Sequence, residues 1–315
     1  MNNRYSERYI FVLYTIFRDY MNTLMASIAL LRPKQWAKNF FIFIPAFFAG
    51  VIFHIVTLTE LAFGFFLFSA AASSIYILND ILDVESDRQH LTKCKRPIAS
   101  GVLPVPLAIM IAIVLSIGSS VITWRCLHAS TASILIGYLL LNVAYCFKIK
   151  HIAIIDVVFI ALGFVFRVFF GAFIAGVQPS SWLVLMTFLL SLFIGFAKRR
   201  DDVIIFEESG KRMRKSIDGY NRAMIDTLLS ITATILIISY IMYTQSAEAL
   251  SLTGVKTTYL YTTSIFVIIG LFRYIQLAVV HAKTGSPTKV LFSDRMIQGA
   301  VLGWITCLGG MIYLR

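Results

Sequence analysis

The amino-acid sequence predicts an all-α membrane protein of about nine transmembrane helices, a single integral membrane domain over residues 1–315. Three observations lead there: composition, continuous apolar runs, and a one-sided distribution of cations. Hydrophobic residues make up 58% of the chain and charged residues 14%. A soluble domain is nearer half apolar and a quarter charged. The apolar residues gather into nine runs, about 39–56, 60–80, 104–124, 129–147, 152–175, 181–197, 223–244, 258–280 and 297–314. Each approaches the roughly 20 residues that cross a bilayer as a helix. The runs do not alternate with period two, which favours helices over a barrel.

Of the 28 Lys and Arg, 23 fall in the N-terminal arm and in the connections 81–103, 148–151, 198–222 and 281–296. The opposite connections and the C-terminus hold Arg125, Lys256 and Arg315, and Arg167 and Arg273 lie within predicted spans. Cations mark the cytoplasmic side. The N-terminus is therefore expected in the cytoplasm and the C-terminus outside, in a multi-pass protein of the cell (inner) membrane. The same reasoning accounts for the net charge of +12 without nucleic acid. It makes the membrane and phosphorylated substrates the expected partners. Cys94, Cys126, Cys146 and Cys307 form no metal-binding or disulfide spacing and read as unpaired, mostly buried thiols.

Residues 1–38 read as a cytoplasmic arm. Its stretch Tyr9–Leu31 is interrupted by Arg18 and Asp19 and suits an interfacial amphipathic helix better than a signal peptide. Then comes Arg32-Pro33-Lys34-Gln35-Trp36-Ala37-Lys38-Asn39. As an α-helix this places Lys34 with Lys38 on one face and Gln35 with Asn39 on the adjacent strip. Trp36 and the lysines suit an interfacial anchor. The two amides are better explained by an anion site.

The second run ends in Asn79-Asp80-Ile81-Leu82-Asp83-Val84-Glu85-Ser86-Asp87. On a helix Asp80, Asp83 and Asp87 share a face, with Asn79 beside it. Three neighbouring carboxylates repel, and a divalent cation relieves that. Magnesium prefers hard oxygen ligands and bridges to substrate phosphates. A solvated acidic helix end is the plain alternative, but ionisable groups adjoining an apolar span are costly and usually functional. Lys93, Lys95 and Arg96 follow, as topology signals or as partners for diphosphate oxygens. Further candidates are Tyr145 with Lys150, and Arg167, which is expected to face a polar cavity or a carboxylate such as Asp156. The run Lys198-Arg199-Arg200-Asp201-Asp202 reads equally as an orientation signal or as a second metal or phosphate site. The loops 81–103 and 198–222 echo each other four helices apart, suggesting a duplicated unit. No zinc-protease, phosphate-loop or serine-hydrolase motif is present.

Asn79–Asp87, as NDxxDxxxD, resembles the first aspartate-rich motif of the UbiA superfamily of intramembrane prenyltransferases. RPKQWAKN, NDILDVESDRQHLTKCKRPIASG, YCFKIKH, Arg167 with Gly171, AKR at 197–199, KSIDGY at 215–220 and SDRMIQ at 293–298 resemble its decaprenyl-phosphate phosphoribosyltransferase branch. The resemblance implies a UbiA-like helical bundle with a cytoplasmic-side active site. It implies magnesium-dependent transfer of 5-phosphoribose from phosphoribosyl pyrophosphate to a polyprenyl phosphate, in service of cell-wall synthesis. Asn79, Asp80, Asp83 and Asp87 would be catalytic, with Mg2+ on the three aspartates and Asp202 as an additional candidate ligand. Phosphates would meet Lys34, Gln35, Lys38, Asn39, Lys93, Arg96, Tyr145, Lys150, Arg167, Lys198 and Arg199. The superfamily's second motif spaces two aspartates four apart, and here only Asp202 fits its acidic end. An oligomer is allowed. The rival readings are ordinary prenyl transfer to an aromatic acceptor, and a lipid transporter or flippase.

Overall fold

The computed structural model describes residues 25–89, 92–210, 215–253, 257–280, 290 and 293–313. Among these there is helix and no strand. Eight helices are long and apolar enough to cross a membrane: α1 Ile55–Leu82, α2 Val105–Cys126, α3 Ala129–Phe147, α4 Ile155–Ile174, α5 Ser181–Ser209, α6 Arg222–Thr244, α7 Tyr259–Val279 and α8 Arg295–Tyr313. They match eight of the nine expected runs. Most of the expected interfacial helix over Tyr9–Leu31 lies outside the described residues.

The run 39–56 is not one α-helix. Pro33–Phe43 is a 3-10 helix, followed by a short α-helix over Ile44–Phe48. Pro45 fits a first helical turn, and Gly50 turns the chain out of it at φ +73°. Eleven residues of 3-10 helix rise about 22 Å and five of α-helix about 7.5 Å. In the opposite direction, α5 runs twelve residues past the expected end at 197, so the 198–202 run is helical. Ser180 caps its start by accepting from the Leu183 N–H at 3.3 Å, and Gly210, at φ +67°, ends it.

Side chains are sorted as a bilayer requires. On α2, Ile109, Met110, Ile113, Val114, Ile117 and Val121 are exposed, while Ala108, Ser119 and Thr123 are buried. Large apolar groups face lipid and small or hydroxyl groups face protein. The Thr123 hydroxyl is satisfied by the Ser119 carbonyl at 2.7 Å. Of the four free cysteines only Cys146 is buried, and Cys126 is exposed at the end of α2.

The contacts gather into two units, residues 1–40 with 63–146 and residues 41–62 with 147–315. The two echoing loops fall one in each. The first unit packs Leu30, Ile77, Ile98, Leu103 and Ala108 together. The second is built on Val157, Phe193, Phe196, Ile217, Ile225 and Leu229. Arg200, fully buried, pins three of its helices. It donates to Asp226 Oδ1 of α6 at 2.5 Å and to the Ala278 carbonyl of α7 at 2.5 Å, one of the terminal carbonyls that a helix leaves unpaired.

Arg273, inside α7, donates from Nη2 to Asp294 Oδ2 at 2.7 Å. The other Asp294 oxygen caps α8, accepting from the N–H groups of Met296 at 3.1 Å and Ile297 at 3.0 Å. The hydrogen bond from Arg273, with help from those two N–H donors, holds the Asp294 carboxyl below its ordinary value. A depressed folded pKa stabilises above the ordinary carboxylate range and is lost as pH falls through the folded value. In detergent, wild type is therefore expected to melt above Asp294→Asn at about pH 7, with the gap closing toward about pH 3. A gap constant with pH would assign the stabilisation to packing instead of charge.

Candidate active site

The site in the first unit begins with how the arm is held. Trp36 Nε1 donates to Ser73 Oγ at 3.1 Å, and Asn39 Nδ2 donates to Ser69 Oγ at 2.8 Å. Ser69 and Ser73 are four apart on the α-helix α1. Trp36 and Asn39 are three apart, one turn of a 3-10 helix. The two periods match, so the arm runs antiparallel along the small-residue stretch of α1. This corrects the α-helical reading of the arm. With three residues per turn, Lys34 and Lys38 stand about 120° apart, as do Gln35 and Asn39. Lys34 is exposed, Gln35 and Lys38 are half-buried, and Asn39 is 1% exposed.

At the head of this register stands Arg32. Its backbone is left-handed, φ +52°, a costly state for a non-glycine residue and one concentrated at functional sites. The proline that follows disfavours the ordinary helical region, and the Gln35 N–H closes the turn on the Arg32 carbonyl at 2.8 Å. The guanidinium lies over the Tyr76 ring, 5.5 Å from its centroid, and pairs with Asp80. Arg32 stands in the RPKQWAKN motif but is not among the site residues expected from the sequence. An arginine preceding a proline, one step from two spaced lysines, was the available signal.

Asp80 and Asp87 are each 2% exposed, and both reach the same nitrogen. Arg96 Nη1 donates to Asp80 Oδ1 at 2.8 Å and to Asp87 Oδ2 at 2.5 Å. Lys93 Nζ is 4.0 Å from Asp87 Oδ1. Asp83 takes a different position. The helix breaks there, at φ −96° and ψ 6°, and its carboxylate accepts from Asn79 Nδ2 at 2.9 Å. Asp80 and Asp87 converge on Arg96, and Asp83 is held by Asn79. Three carboxylates are matched by Arg32, Lys93 and Arg96. His90 lies outside the described residues.

Among the described residues no three His, Cys, Asp or Glu side chains are gathered closely enough to hold an ion by themselves. The donor set nevertheless suits magnesium. Two hard carboxylate oxygens from different residues converge on a point already held by positive charge. Magnesium commonly takes one or two carboxylates and completes its shell with water and substrate phosphates.

The second unit carries its own charged cluster. Asp156, fully buried at the start of α4, accepts from Arg199 Nε at 2.7 Å, and Arg199 Nη1 donates to Asp202 Oδ2 at 3.1 Å. Arg199 is 1% exposed, and its guanidinium joins Asp156 to Asp202. Lys198 is exposed beside it, and Asp201 and Asp202 are buried. Lys150 is buried in the 3-10 turn Ile149–His151. Tyr145 is half-buried on α3 in the first unit. Arg167 does not meet Asp156: eleven residues along one α-helix separate them by about 16 Å. Its Nη1 donates to the Gly163 carbonyl at 2.7 Å, and its guanidinium lies 5.2 Å from the centroid of the Phe164 ring.

These features define a multi-span membrane protein with a carboxylate–guanidinium cluster at the end of its first long helix. Residues 38–294 match the UbiA prenyltransferase family, and the chain belongs to that family. It is 33% identical over 287 residues to a decaprenyl-phosphate phosphoribosyltransferase of Corynebacterium glutamicum, covering 90% of this chain and 86% of that one. It is 31% identical over 300 residues to the protein of that name from Mycolicibacterium smegmatis, covering 93% and 94%. The fold is shared with a UbiA homolog from Archaeoglobus fulgidus bound to DMAPP and Mg2+. There the TM-score is 0.64 at 18% identity, over 90% of this chain and 97% of that one.

Proposed function

We propose that this protein transfers 5-phosphoribose from phosphoribosyl pyrophosphate to a polyprenyl phosphate in the cell membrane, releasing diphosphate, with its cation-rich side in the cytoplasm. The convergence of Asp80 and Asp87 on Arg96 carries the reading. The phosphoribosyl donor is taken from the relatives that match over nine-tenths of the chain. A lipid-phosphate oxygen forms a bond to the anomeric carbon of ribose, and the bond from that carbon to the diphosphate oxygen breaks. The electron pair leaves with diphosphate. The acceptor is already an anion, so no general base is needed.

Magnesium, held by Asp80 and Asp87 with Asp83 near by, would supply charge neutralisation for the leaving diphosphate. The cations Arg32, Lys93 and Arg96 would then turn from the carboxylates to the donor's phosphates, where charge-assisted hydrogen bonds are strong. Lys34 and Lys38 are candidate cations of the first unit for the ribose 5-phosphate or the lipid phosphate, and Lys150 and Lys198 are candidates in the second unit. Fixed charge aimed at the departing oxygens supplies most of the acceleration, and orientation of the two substrates much of the rest.

The second reading is prenyl transfer to an aromatic acceptor, favoured by the fold shared with the dimethylallyl-diphosphate-bound homolog. A transporter has less support. Arg273 is paired with Asp294, and Arg167 is held by the Gly163 carbonyl and the Phe164 ring. The deciding experiment gives purified protein labelled phosphoribosyl pyrophosphate and a polyprenyl phosphate, with and without magnesium. Label is expected in the organic phase only with magnesium. No transfer, with prenyl diphosphate bound by the same folded sample, would favour the second reading.

A further inference from the structure

One face of α1 does more than carry an aspartate. Ser73, Tyr76 and Asp80 stand at i, i+3 and i+7 of that helix, a spacing that puts them on one face. Arg32 is laid along it. Ser73 Oγ donates to the carbonyl of Leu31, the residue before Arg32, at 2.8 Å, and Trp36 Nε1 donates to the same carbonyl at 3.3 Å. The Tyr76 ring faces the guanidinium, with 5.5 Å from the ring centroid to Cζ, and Asp80 receives Nη2. The chain before the arginine, the face of its guanidinium and its tip are thus held by successive turns of α1. The left-handed backbone at Arg32, φ +52°, is the strain that this seating carries. All of these groups belong to the first unit.

The oxygens that a metal ion would need are occupied. Asp80 Oδ1 receives Arg32 Nη2 and, at 2.8 Å, Arg96 Nη1. Arg96 Nη1 also reaches Asp87 Oδ2 at 2.5 Å. Magnesium arriving alone has to displace a guanidinium from a carboxylate that is 2% exposed. The displaced cation is then left beside a dication, and stripping one partner from such a buried pair is strongly unfavourable. A diphosphate arriving with the metal changes the balance, because it offers the guanidinium a new anion. The two arginines differ in what they hold. Arg96 bridges two carboxylates, whereas Arg32 has Asp80 alone among the described residues. The Arg32 side chain is also 24% exposed, so an incoming anion can reach it.

We propose that Arg32, seated on Tyr76, couples magnesium binding to diphosphate binding. Without diphosphate, Arg32 holds Asp80 and excludes the metal. With diphosphate, Arg32 pairs with the anion and leaves Asp80 to magnesium. Tyr76 is the positioning residue. Its ring supports the guanidinium by a cation–π contact one turn before Asp80, which keeps the arginine at the site in both states. Each ligand then strengthens the other by the same factor. Only the identity of the donor rests on the phosphoribosyl-transfer reading, since inorganic pyrophosphate meets the same two residues.

Calorimetry on the full chain in detergent tests the coupling. Three affinities are read: magnesium alone, inorganic pyrophosphate alone, and pyrophosphate at saturating magnesium, with the complex formed in free solution measured separately. Wild type is expected to bind magnesium alone weakly, and pyrophosphate about a hundredfold more tightly with the metal than without it. Arg32→Gln is expected to bind magnesium alone about tenfold more tightly and magnesium pyrophosphate about tenfold more weakly, so that most of the coupling disappears. Tyr76→Leu is expected to lose much of the coupling too, and Tyr76→Phe, which keeps the ring, to retain it. A ring that only fills space would move the melting temperature in Tyr76→Leu and leave the coupling as it was. That result would overturn the proposal. So would Arg32→Gln binding magnesium no more tightly than wild type, or weakening magnesium and magnesium pyrophosphate alike. Should Arg32→Gln not fold, the two Tyr76 variants decide the matter. A wild type that couples the two ligands but transfers no phosphoribose sinks the function reading and leaves the coupling through Arg32 in place.

Discussion

Asp80→Asn is expected to lower turnover by roughly 10²–10³-fold while the protein still folds. Asn keeps the shape of Asp and one acceptor oxygen, so it can still receive Arg96 Nη1, which stands 2.8 Å away. What it loses is the negative charge that, with Asp87, makes this point attractive to a divalent cation. Arg32 would then lose its ion pair and Arg96 would keep only Asp87, and the site would carry excess positive charge before any metal arrives. Turnover and magnesium dependence, measured beside the melting temperature in detergent, check this. The loss should persist at saturating donor and be eased only in part by raised magnesium. A folded Asp80→Asn protein with near-normal turnover would remove magnesium from Asp80. Asp83→Asn makes an instructive comparison. That carboxylate is held by Asn79 Nδ2 at 2.9 Å and does not join the convergence, so a smaller loss is expected.

The long helices were legible because apolar runs of about 20 residues have few alternatives in a bilayer. Where the reading failed, hydropathy was the wrong quantity. The run 39–56 is apolar enough to span, but its backbone is set by Pro33, Pro45 and Gly50, and hydropathy carries no information on 3-10 against α geometry. That one difference relocated Lys34, Lys38, Gln35 and Asn39, whose grouping assumed 3.6 residues per turn. The end of α5 failed for the complementary reason. Seven of its last twelve residues are charged and the stretch reads as a loop, yet it stays helical because Asp156 and Asp226, on other helices, receive Arg199 and Arg200. Partners 43 and 26 residues away cannot be read from local composition.

The candidate site shows the same division. Carboxylates at Asp80, Asp83 and Asp87 are visible as a local spacing, and the chemistry of crowded anions follows from it. Which cation answers them is a long-range fact. Arg96 was in view because it lies on the same loop. Arg32, 48 residues from Asp80, was not. The register that brings it there depends on Ser73 and Ser69 of α1 meeting Trp36 and Asn39, partners 37 and 30 residues apart.

Gly171→Ala is expected to be the most damaging single methyl in the second unit. Gly171 lies on α4, where alanine would ordinarily be the better helix former by about 1 kcal/mol. A Cβ there, however, would lie 1.8 Å from the Ile42 carbonyl oxygen, 2.7 Å from its carbon and 2.9 Å from its Cα. All three are backbone atoms of the Pro33–Phe43 helix, so no rotamer change relieves the clash. Overpacking usually costs about 1–3 kcal/mol and sometimes more; here either that segment or α4 has to move, and about 3 kcal/mol or above is expected. Gly270→Ala on α7 is the matched control, since its Cβ would meet only the Ala300 Cβ at 3.8 Å, an ordinary contact. The melting temperature should fall by many degrees for Gly171→Ala and hold or rise for Gly270→Ala. Equal tolerance of both would mean that the close approach of Ile42 to α4 is not a feature of the folded protein. Because Arg167 lies one turn before Gly171 on α4, the same substitution should also disturb its guanidinium, packed 5.2 Å from the centroid of the Phe164 ring.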